Sequence, residues 1–173
     1  MDRENFKKWV CTALEMEEKG MSLYQKVADE CTTKVGQEVF SMLRDDEVKH
    51  IEKIKDIERA LDQEAGLEQA CTLQESDRDP GKIFRELAGK VEAEKPCAST
   101  VKALSAGIDF ELALVRFYED ALEKASEDLE RQFLKRMVNE EKAHFILLSD
   151  MQDYYQDPEG WYMQQERAGL DGA

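Results

Sequence analysis

The chain contains few of the residues that interrupt helices, with three prolines and nine glycines among 173 residues. It also lacks an uncharged apolar run long enough to cross a membrane, and its N-terminus has no basic segment followed by an apolar one. Collagen-like and Pro/Gly-rich low-complexity chains are excluded by this composition. We therefore expect a cytoplasmic protein built from long helices, with no membrane partner.

Paired cysteines are absent as well. The four cysteines, at positions 11, 31, 71 and 97, never form a Cys-x-x-Cys pair. Zinc ribbons and rubredoxin-type iron sites need such pairs, so neither is expected. Free thiols are the expected state in a reducing compartment, and we assign these cysteines no function.

Positive charge is also scarce. The chain has 24 basic and 39 acidic residues, which gives a formal net charge of −15. Such a surface would be repelled by nucleic-acid backbones and by anionic lipids, so neither is an expected partner. It would instead concentrate cations near the protein.

Apolar residues recur in steps of three and four along four long stretches, as in amphipathic helices. The predicted helices run from about Glu4 to Cys31, from a Thr32 or Thr33 N-cap to about Gln63, from about Ser99 to Ala125, and from a Ser126 N-cap to about Tyr155. Between the second and third helices we predict a short helix near 83–91. A connection of this length favours a crossover between two parallel helices.

The predicted organisation is one domain over residues 1–173, since this length suffices for a single hydrophobic core. It comprises a helical hairpin at about 4–64, a crossover at about 65–98, a second hairpin at about 99–157 and a tail at 158–173. Pro158 marks the start of the tail because it interrupts the helical pattern.

The only two histidines each follow a glutamate by three residues, as Glu47–His50 and Glu141–His144. This spacing places each pair on one helical face and is typical of metal ligands. The two motifs are 94 residues apart, and the same offset relates Glu17 to Glu111. The chain is therefore interpreted as a duplicated helical hairpin.

These six residues occupy core-facing positions of the helical pattern, where leucine would normally stand. Glu18 is a weaker candidate than Glu17, because its counterpart 94 residues later is Leu112. Buried carboxylates that face one another would repel or become protonated without counter-charge. Two divalent cations would balance four carboxylates, and oxygen-rich ligation with one imidazole per ion suits iron or manganese, with zinc also possible. The predicted metal ligands are Glu17, Glu47, His50, Glu111, Glu141 and His144.

Tyr24 and Tyr118 lie two turns beyond Glu17 and Glu111 on the same faces. They are either packed core residues or hydrogen-bond partners and proton sources beside the metal ions. Asp46 and Glu140 are candidates to accept the free imidazole N–H, and we hypothesise that Asp46 pairs with His144 and Glu140 with His50. The two tryptophans, Trp9 and Trp161, are interpreted as packing residues.

The pattern of Glu, Glu-x-x-His, Glu and Glu-x-x-His around a long crossover resembles the ferritin-like di-iron carboxylate proteins. The segments Ala13–Tyr24 and Asp46–His50 specifically resemble the rubrerythrin branch, and the similarity extends over about residues 4–157. Because no cysteines are paired, the likeness is to stand-alone rubrerythrin-like proteins without a rubredoxin domain. Ile108 and Leu114 stand where an additional glutamate near Glu111 would be expected from the family.

This resemblance implies an all-α, ferritin-like four-helix bundle of two hairpins related by a pseudo-two-fold axis, with a long crossover and a short C-terminal helical segment. It implies two iron ions that reduce hydrogen peroxide or dioxygen with electrons from an external donor protein such as rubredoxin. Tyr24 and Tyr118 would then be the catalytic residues beside the metals. We also expect a homodimer.

Other functions are open at this point. A ferroxidase or iron-storage protein would use Fe²⁺ as its substrate, and the acidic composition suits that reading equally well. Manganese catalase is a further enzymatic alternative. A non-catalytic oxygen or iron sensor, and a helical partner protein without metal, are the alternatives from other classes.

Overall fold

The computed structural model of the chain describes residues 3–63, 80–89, 96 and 98–171. That part of the chain forms helices and no strands, so the all-α prediction is confirmed. The helices are α1 (Arg3–Glu30), α2 (Lys34–Gln63), α3 (Pro80–Ala88), α4 (Ala98–Lys124), α5 (Asp128–Gln156) and α6 (Pro158–Asp171). The helix expected near 83–91 is α3, which begins earlier, and most of the predicted crossover lies outside the described residues.

The duplication inferred from the motifs extends to the helix ends. Helices α1 and α4 end at Glu30 and Lys124, and α2 and α5 begin at Lys34 and Asp128. Both pairs of positions are related by the offset of 94 residues that links the Glu-x-x-His motifs. The two hairpins therefore place their equivalent side chains at equivalent heights along the helices.

The N-caps of the second helix in each hairpin differ. Thr33 caps α2, because its hydroxyl accepts a hydrogen bond from the Gly36 N–H at 3.2 Å. The prediction that Ser126 caps α5 is wrong, because Glu127 is the N-cap residue and makes no side-chain cap bond. Glu130 instead accepts a hydrogen bond from the Ser126 N–H at 3.3 Å, and acidic residues in the first turn suit the positive end of the helix dipole.

Replacing Thr33 by alanine is expected to lower the free energy of unfolding by about 1–2 kcal/mol, because the cap bond is lost. The hydroxyl also lies 2.5 Å from the Tyr155 hydroxyl, and this bond would be lost with it. Thr32 is exposed and is the matched control, with an expected change within about 0.5 kcal/mol for Thr32→Ala. Urea unfolding of both variants measures the difference, and equal losses would contradict the cap assignment.

Helices α3 and α6 cover one end of α5. Asp157 separates α5 from α6 and caps the latter, since its carboxylate accepts the Gly160 N–H at 3.0 Å. Pro158 takes the first helical position, where its missing N–H costs nothing. Trp161 of α6 packs edge-on against Phe84 of α3 with ring centroids 5.2 Å apart. The predicted C-terminal segment is therefore a helix packed against the bundle.

Two apolar clusters fill the core. The Trp9 cluster contains Phe6, Trp9, Val10, Ala13, Ile54, Ile57, Ala60, Leu114, Tyr118, Ala121, Ala125, Phe133, Leu134, Met137 and Val138. The Phe84 cluster contains Tyr24, Val27, Ala28, Val35, Val39, Phe40, Leu43, Phe84, Ala88, Leu104, Leu147, Leu148, Met151, Tyr154 and Trp161. Each of the four long helices contributes to both clusters, so the clusters lie at opposite ends of the bundle.

The order of the clusters along each helix gives the helix directions. Helices α1 and α5 run from the Trp9 cluster to the Phe84 cluster, whereas α2 and α4 run the opposite way. Helices α2 and α4 are therefore parallel, and the end of α2 and the start of α4 lie at opposite ends of the bundle. This arrangement agrees with the predicted crossover. Among the described helices, none has the length and apolar character needed to span a bilayer.

Candidate metal centre

All six predicted ligands lie in the gap between the two apolar clusters. The four glutamates have no exposed surface, and His50 and His144 are 4% and 5% exposed. Their side chains form two groups of four residues, in each of which one ligand atom per residue lies within 4.8 Å of the others. The first group is Glu17, Glu47, His50 and Glu141, and the second is Glu47, Glu111, Glu141 and His144.

Regular helix geometry positions these side chains. Within α2, Leu43 and Ile54 are fully buried on either side of Glu47 and His50, so the face that carries the motif is held against the core. Leu134 and Leu148 bracket the equivalent motif of α5 in the same way. The carboxylates are buried because their apolar neighbours on the same helical face are buried, at steps of three and four residues.

The His50 imidazole has three carboxylates around one ring nitrogen. Its Nδ1 atom lies 3.2 Å from Glu17, 3.1 Å from Glu47 and 3.3 Å from Glu141. Glu47 belongs to the same helix, while the other two carboxylates come from α1 and α5. Three helices therefore present acidic oxygens to a single nitrogen.

The His144 imidazole repeats this arrangement in the second group. Its Nδ1 atom lies 3.4 Å from Glu47, 3.7 Å from Glu111 and 3.3 Å from Glu141. The two imidazole rings are stacked, with centroids 5.7 Å apart and an interplanar angle of 26°. The two groups of ligands are therefore adjacent.

Glu47 and Glu141 belong to both groups and divide their oxygens between them. Glu47 presents Oε2 to His50 and Oε1 to His144, and Glu141 presents Oε1 to His50 and Oε2 to His144. A carboxylate whose two oxygens point to different halves of a site is disposed to bridge two cations. Glu17 and Glu111 each face one half only, as terminal ligands would.

The polar atoms of the cluster fit a pair of cations. Within the described residues, Glu47 Oε1, Glu111 Oε2, both oxygens of Glu141 and His144 Nδ1 are buried without a hydrogen-bond partner. Leaving buried acceptors unsatisfied costs about 1–3 kcal/mol each, and more for charged groups. Oxygen-rich donors with one imidazole for each half suit iron or manganese. The donor set therefore fits the two iron ions that the sequence predicts.

Without metal, burial favours the protonated form of the terminal glutamates. Burial raises the pKa of Glu17 well above its ordinary value, and the nearby charges of Glu141 and Glu47 raise it further. Burial also raises the pKa of Glu111 to about 8, although the nearby His144 opposes this shift. These carboxyl groups would release protons when a cation binds.

Glu47 and the two histidines show the opposite behaviour, because their neighbours favour the charged forms. Burial opposes ionisation of Glu47, but its close contacts with Glu17, His144 and His50 outweigh burial and lower the Glu47 pKa. Burial also opposes charge on both imidazoles. The surrounding carboxylates outweigh it, chiefly Glu141 and Glu17 for His50 and Glu111 for His144, and raise both histidine pKa values.

The two tyrosines bond to the terminal glutamates across the α1–α4 interface. Tyr24 of α1 donates a hydrogen bond to Glu111 Oε1 of α4, and Tyr118 of α4 donates one to Glu17 Oε1 of α1. These contacts match the hydrogen-bonding role considered for both residues. Burial and the nearby carboxylates raise both tyrosine pKa values well above normal, so both phenols keep their protons.

Of the two outer imidazole contacts in the hypothesis, the structure brings one pair together, and does so as an ion pair rather than as the hydrogen bond that was predicted. His144 Nε2 lies 3.8 Å from Asp46, an ion-pair distance, and Asp46 also pairs with Lys49 at 2.6 Å. Among the described residues, Glu140 pairs with Arg136 at 3.7 Å rather than with His50. The pairing of Glu140 with His50 is therefore wrong, because the neighbouring arginine one helical turn away takes this carboxylate.

Two glycines that the motif search missed allow α1 and α4 to approach near the cluster. A Cβ atom at Gly20 would lie 2.9 Å from the Phe110 ring and 3.6 Å from Glu47. A Cβ atom at Gly107 would lie 3.1 Å from Leu148 and 3.5 Å from Tyr24. The sequence contained one sign of this close approach. The residue 94 positions after Gly20 is Leu114, so a glycine stands where the repeat has a much larger residue.

Antiparallel helical hairpins around a buried cluster of carboxylates and imidazoles define a ferritin-like bundle with a site of the di-metal type. A family model described as Rubrerythrin matches residues 8–151, and the chain belongs to the rubrerythrin family. The matched range includes all six clustered residues. Searches of curated proteins and of solved structures each found no significant match.

Proposed function

We propose that the protein is a di-iron oxidoreductase that reduces hydrogen peroxide or dioxygen with electrons from an external donor protein such as rubredoxin. The observation that carries this proposal is the sharing of Glu47 and Glu141 between two four-residue groups. Shared carboxylates would hold two cations side by side, so that each ion could give one electron to the same O–O bond.

The six residues would divide the binding of the metal pair. Glu47 and Glu141 would bridge the two ions, Glu17 and His50 would hold one of them, and Glu111 and His144 the other. Two bound ferrous ions would supply one electron each to the O–O bond. The buried position of the cluster keeps bulk water away from this chemistry.

The tyrosines would orient the terminal ligands and hold protons near the reacting oxygen atoms. Reduction of one hydrogen peroxide to two waters consumes two electrons and two protons. Tyr118 and Tyr24 keep protonated hydroxyls on Glu17 and Glu111, one on each half of the site. Each hydroxyl would therefore hold a proton within hydrogen-bond reach of the carboxylate that it contacts.

A second candidate is a ferroxidase or iron-storage protein, for which Fe²⁺ is the substrate. The net charge of −15 favours this alternative, because it would draw cations toward the protein. A ferroxidase oxidises its bound iron once and releases the ferric product, whereas the proposed oxidoreductase returns to the ferrous state when a donor is present. The two candidates therefore differ in repeated turnover.

Repeated turnover is the decisive measurement. The protein is loaded anaerobically with Fe²⁺, mixed with hydrogen peroxide, and re-reduced with rubredoxin and its reductase over several cycles while peroxide and iron absorbance are followed. We expect peroxide consumption in each cycle with iron retained on the protein. A single oxidation followed by loss of ferric iron would favour the ferroxidase instead.

Light scattering on the same sample gives the oligomeric state. We expect a homodimer, because two chains suffice for an enzyme that exchanges electrons with a separate donor. A large hollow assembly would favour iron storage. A parallel sample with Glu47→Gln separates metal-centred turnover from adventitious iron, because that variant lacks a shared carboxylate.

A further inference from the structure

The two tyrosines of the cluster are equivalent by the duplication but have different aromatic neighbours. Tyr118 lies in edge contact with the Trp9 indole, with ring centroids 5.8 Å apart. Tyr24, within the described residues, has its ring contact with Phe40 at 6.1 Å. Position 103, which is 94 residues after Trp9, is an alanine. Among the described residues, an oxidisable ring therefore contacts Tyr118 directly, and none contacts Tyr24.

Trp9 connects Tyr118 to the edge of the bundle. It is 8% exposed, and its indole lies nearly parallel to the rings of Phe6 and Phe117, each 5.7 Å away between centroids. Phe117 is partly exposed and packs against the same cluster. The contacts from Glu17 through Tyr118 and Trp9 thus lead from the buried cluster to the protein surface.

The surroundings of Trp9 suit a positively charged ring better than a deprotonated one. Its indole N–H is buried and has no hydrogen-bond acceptor among the described residues, so an oxidised indole has no group to receive its proton. The two parallel phenylalanine rings lie within the roughly 6 Å at which aromatic faces attract a cation. A one-electron-oxidised Trp9 would therefore keep its proton.

We infer that Tyr118 and Trp9 form a one-sided path for single electrons, by which the oxidised metal centre takes electrons from the protein when the external donor is absent. This inference rests on the proposed function, because it needs the oxidised centre as the electron acceptor. It assigns Trp9 a redox role in place of the packing role predicted from the sequence.

The transfers balance as follows. The first hydrogen peroxide takes the two ferrous electrons, so a second hydrogen peroxide at the metal centre is the oxidant, and it needs two electrons and two solvent protons, delivered in two passages of this path, to become two waters. In each passage Tyr118 gives one electron and passes its hydroxyl proton to Glu17, along the existing hydrogen bond. Trp9 then gives one electron to the tyrosyl radical, and the proton returns from Glu17 to Tyr118. Trp9 is left as a radical cation, which a one-electron reductant at the surface, such as ascorbate, returns to the indole.

Freeze-quench electron paramagnetic resonance on iron-loaded protein mixed with excess hydrogen peroxide, without a donor protein, tests this path. We expect a protonated tryptophan radical in the wild type, a tyrosyl radical in its place in Trp9→Phe, and loss of the tryptophan radical in Tyr118→Phe. Tyr24→Phe removes the equivalent hydroxyl on the other half of the site, and it should keep the tryptophan radical when the yield is compared per iron centre oxidised. Mass spectrometry should find oxygen added to Trp9 in wild-type protein, and less of it when ascorbate is present.

Several results would overturn the inference. Equal radical yields in wild type and Tyr118→Phe would do so, as would equal loss of the signal in Tyr24→Phe and Tyr118→Phe. Oxidation of Trp9 by peroxide in metal-free protein, at the rate seen with iron, would show that the centre is not the acceptor. If peroxide is consumed and iron turns over without any Trp9 radical, only the path fails. If iron does not bind, the path and the proposed function fail together.

Melting temperature and iron content of each variant accompany these spectra. Tyr118→Phe removes one hydroxyl and changes no other atom, so it tests the path even if Trp9→Phe disturbs the apolar cluster. Mass-spectrometric mapping of the unaltered protein gives a result that depends on neither substitution.

Discussion

Replacing Glu47 by glutamine is expected to remove both metal ions from the protein. Glu47 presents one oxygen to each half of the cluster, so both halves lose a ligand and the counter-charge that the two cations share. Loss of an outer contact to a metal ligand lowers affinity about 10–100-fold, and loss of a shared ligand should exceed that. We expect metal content to fall from two ions per chain to fewer than one.

The loss of stability should be larger in the metal-loaded protein than in the metal-free protein. A cation at about a thousandfold above its dissociation constant adds about 4 kcal/mol to the unfolding free energy, and this gain should disappear in Glu47→Gln. For a chain of this size the lost gain corresponds to about 8–16 °C in melting temperature. Metal-free Glu47→Gln should be less stable than metal-free wild type, because His50 and His144 lose a carboxylate that stabilises their charge.

Two further variants calibrate this result. Glu17 belongs to one group only, so Glu17→Gln should lose one ion and keep the other. Its neighbour Glu18 is 49% exposed and pairs with Lys55 at 3.7 Å, so Glu18→Gln should bind both ions normally. Metal analysis and calorimetry on the four proteins give the comparison. Retention of both ions by Glu47→Gln would exclude a bridged pair at this cluster.

Metal-free protein is expected to lose stability as the pH rises from about 6 to about 8. The pKa of Glu111 is about 8 in the folded protein, above its ordinary value of 4.5, so its contribution is fully present below pH 4.5 and is lost as the pH rises through about 8. Glu17, His50 and His144 have raised pKa values and contribute with the same sign. The lowered pKa of Glu47 contributes with the opposite sign: its stabilisation is present above pH 4.5 and is lost only in more acidic solution, outside this interval.

The Glu111 contribution alone should lower the unfolding free energy by roughly 2 kcal/mol between about pH 6 and about pH 8. Metal binding releases the same protons, so metal affinity should rise over this interval. The difference in melting temperature between metal-loaded and metal-free protein should therefore widen with pH. Urea unfolding and calorimetry at several pH values measure both trends.

Glu111→Gln is the matched control for this dependence. The amide cannot release a proton, so metal-free Glu111→Gln should show a smaller decrease in stability over the same interval. Calorimetric metal titration in buffers of different ionisation enthalpy counts the protons released. Metal-free stability that is constant or rises from about pH 6 to about pH 8 would contradict the assigned protonation of the cluster.

Much of the bundle could be predicted from local pattern. Apolar residues at steps of three and four, with few prolines, determine long amphipathic helices, and their observed ends lie within one or two residues of the predicted ones. The offset of 94 residues selected Glu17 over Glu18, and the structure buries Glu17 while Glu18 is exposed. The internal repeat thus identified Glu17 as a ligand candidate, which the Glu-x-x-His motifs alone could not do.

The internal repeat also gave two wrong predictions, at positions where the surrounding side chains differ between the two hairpins. It predicted a Ser126 cap from Thr32, but the true equivalents are Thr33 and Glu127, one position later. It predicted a contact between Glu140 and His50, but Arg136 pairs with Glu140 instead. Such contacts depend on side chains one turn away or on another helix, and the repeat does not conserve those side chains.

The sequence by itself determined the all-α class, the helix positions and the six polar residues on buried faces, because helical periodicity is a local property of the chain. Only the tertiary structure decided which carboxylate oxygen faces which imidazole, that the tyrosines bond across α1 and α4, and that Trp9 contacts Tyr118 but has no counterpart beside Tyr24. These contacts join residues distant in the chain, and they depend on how closely the helices approach.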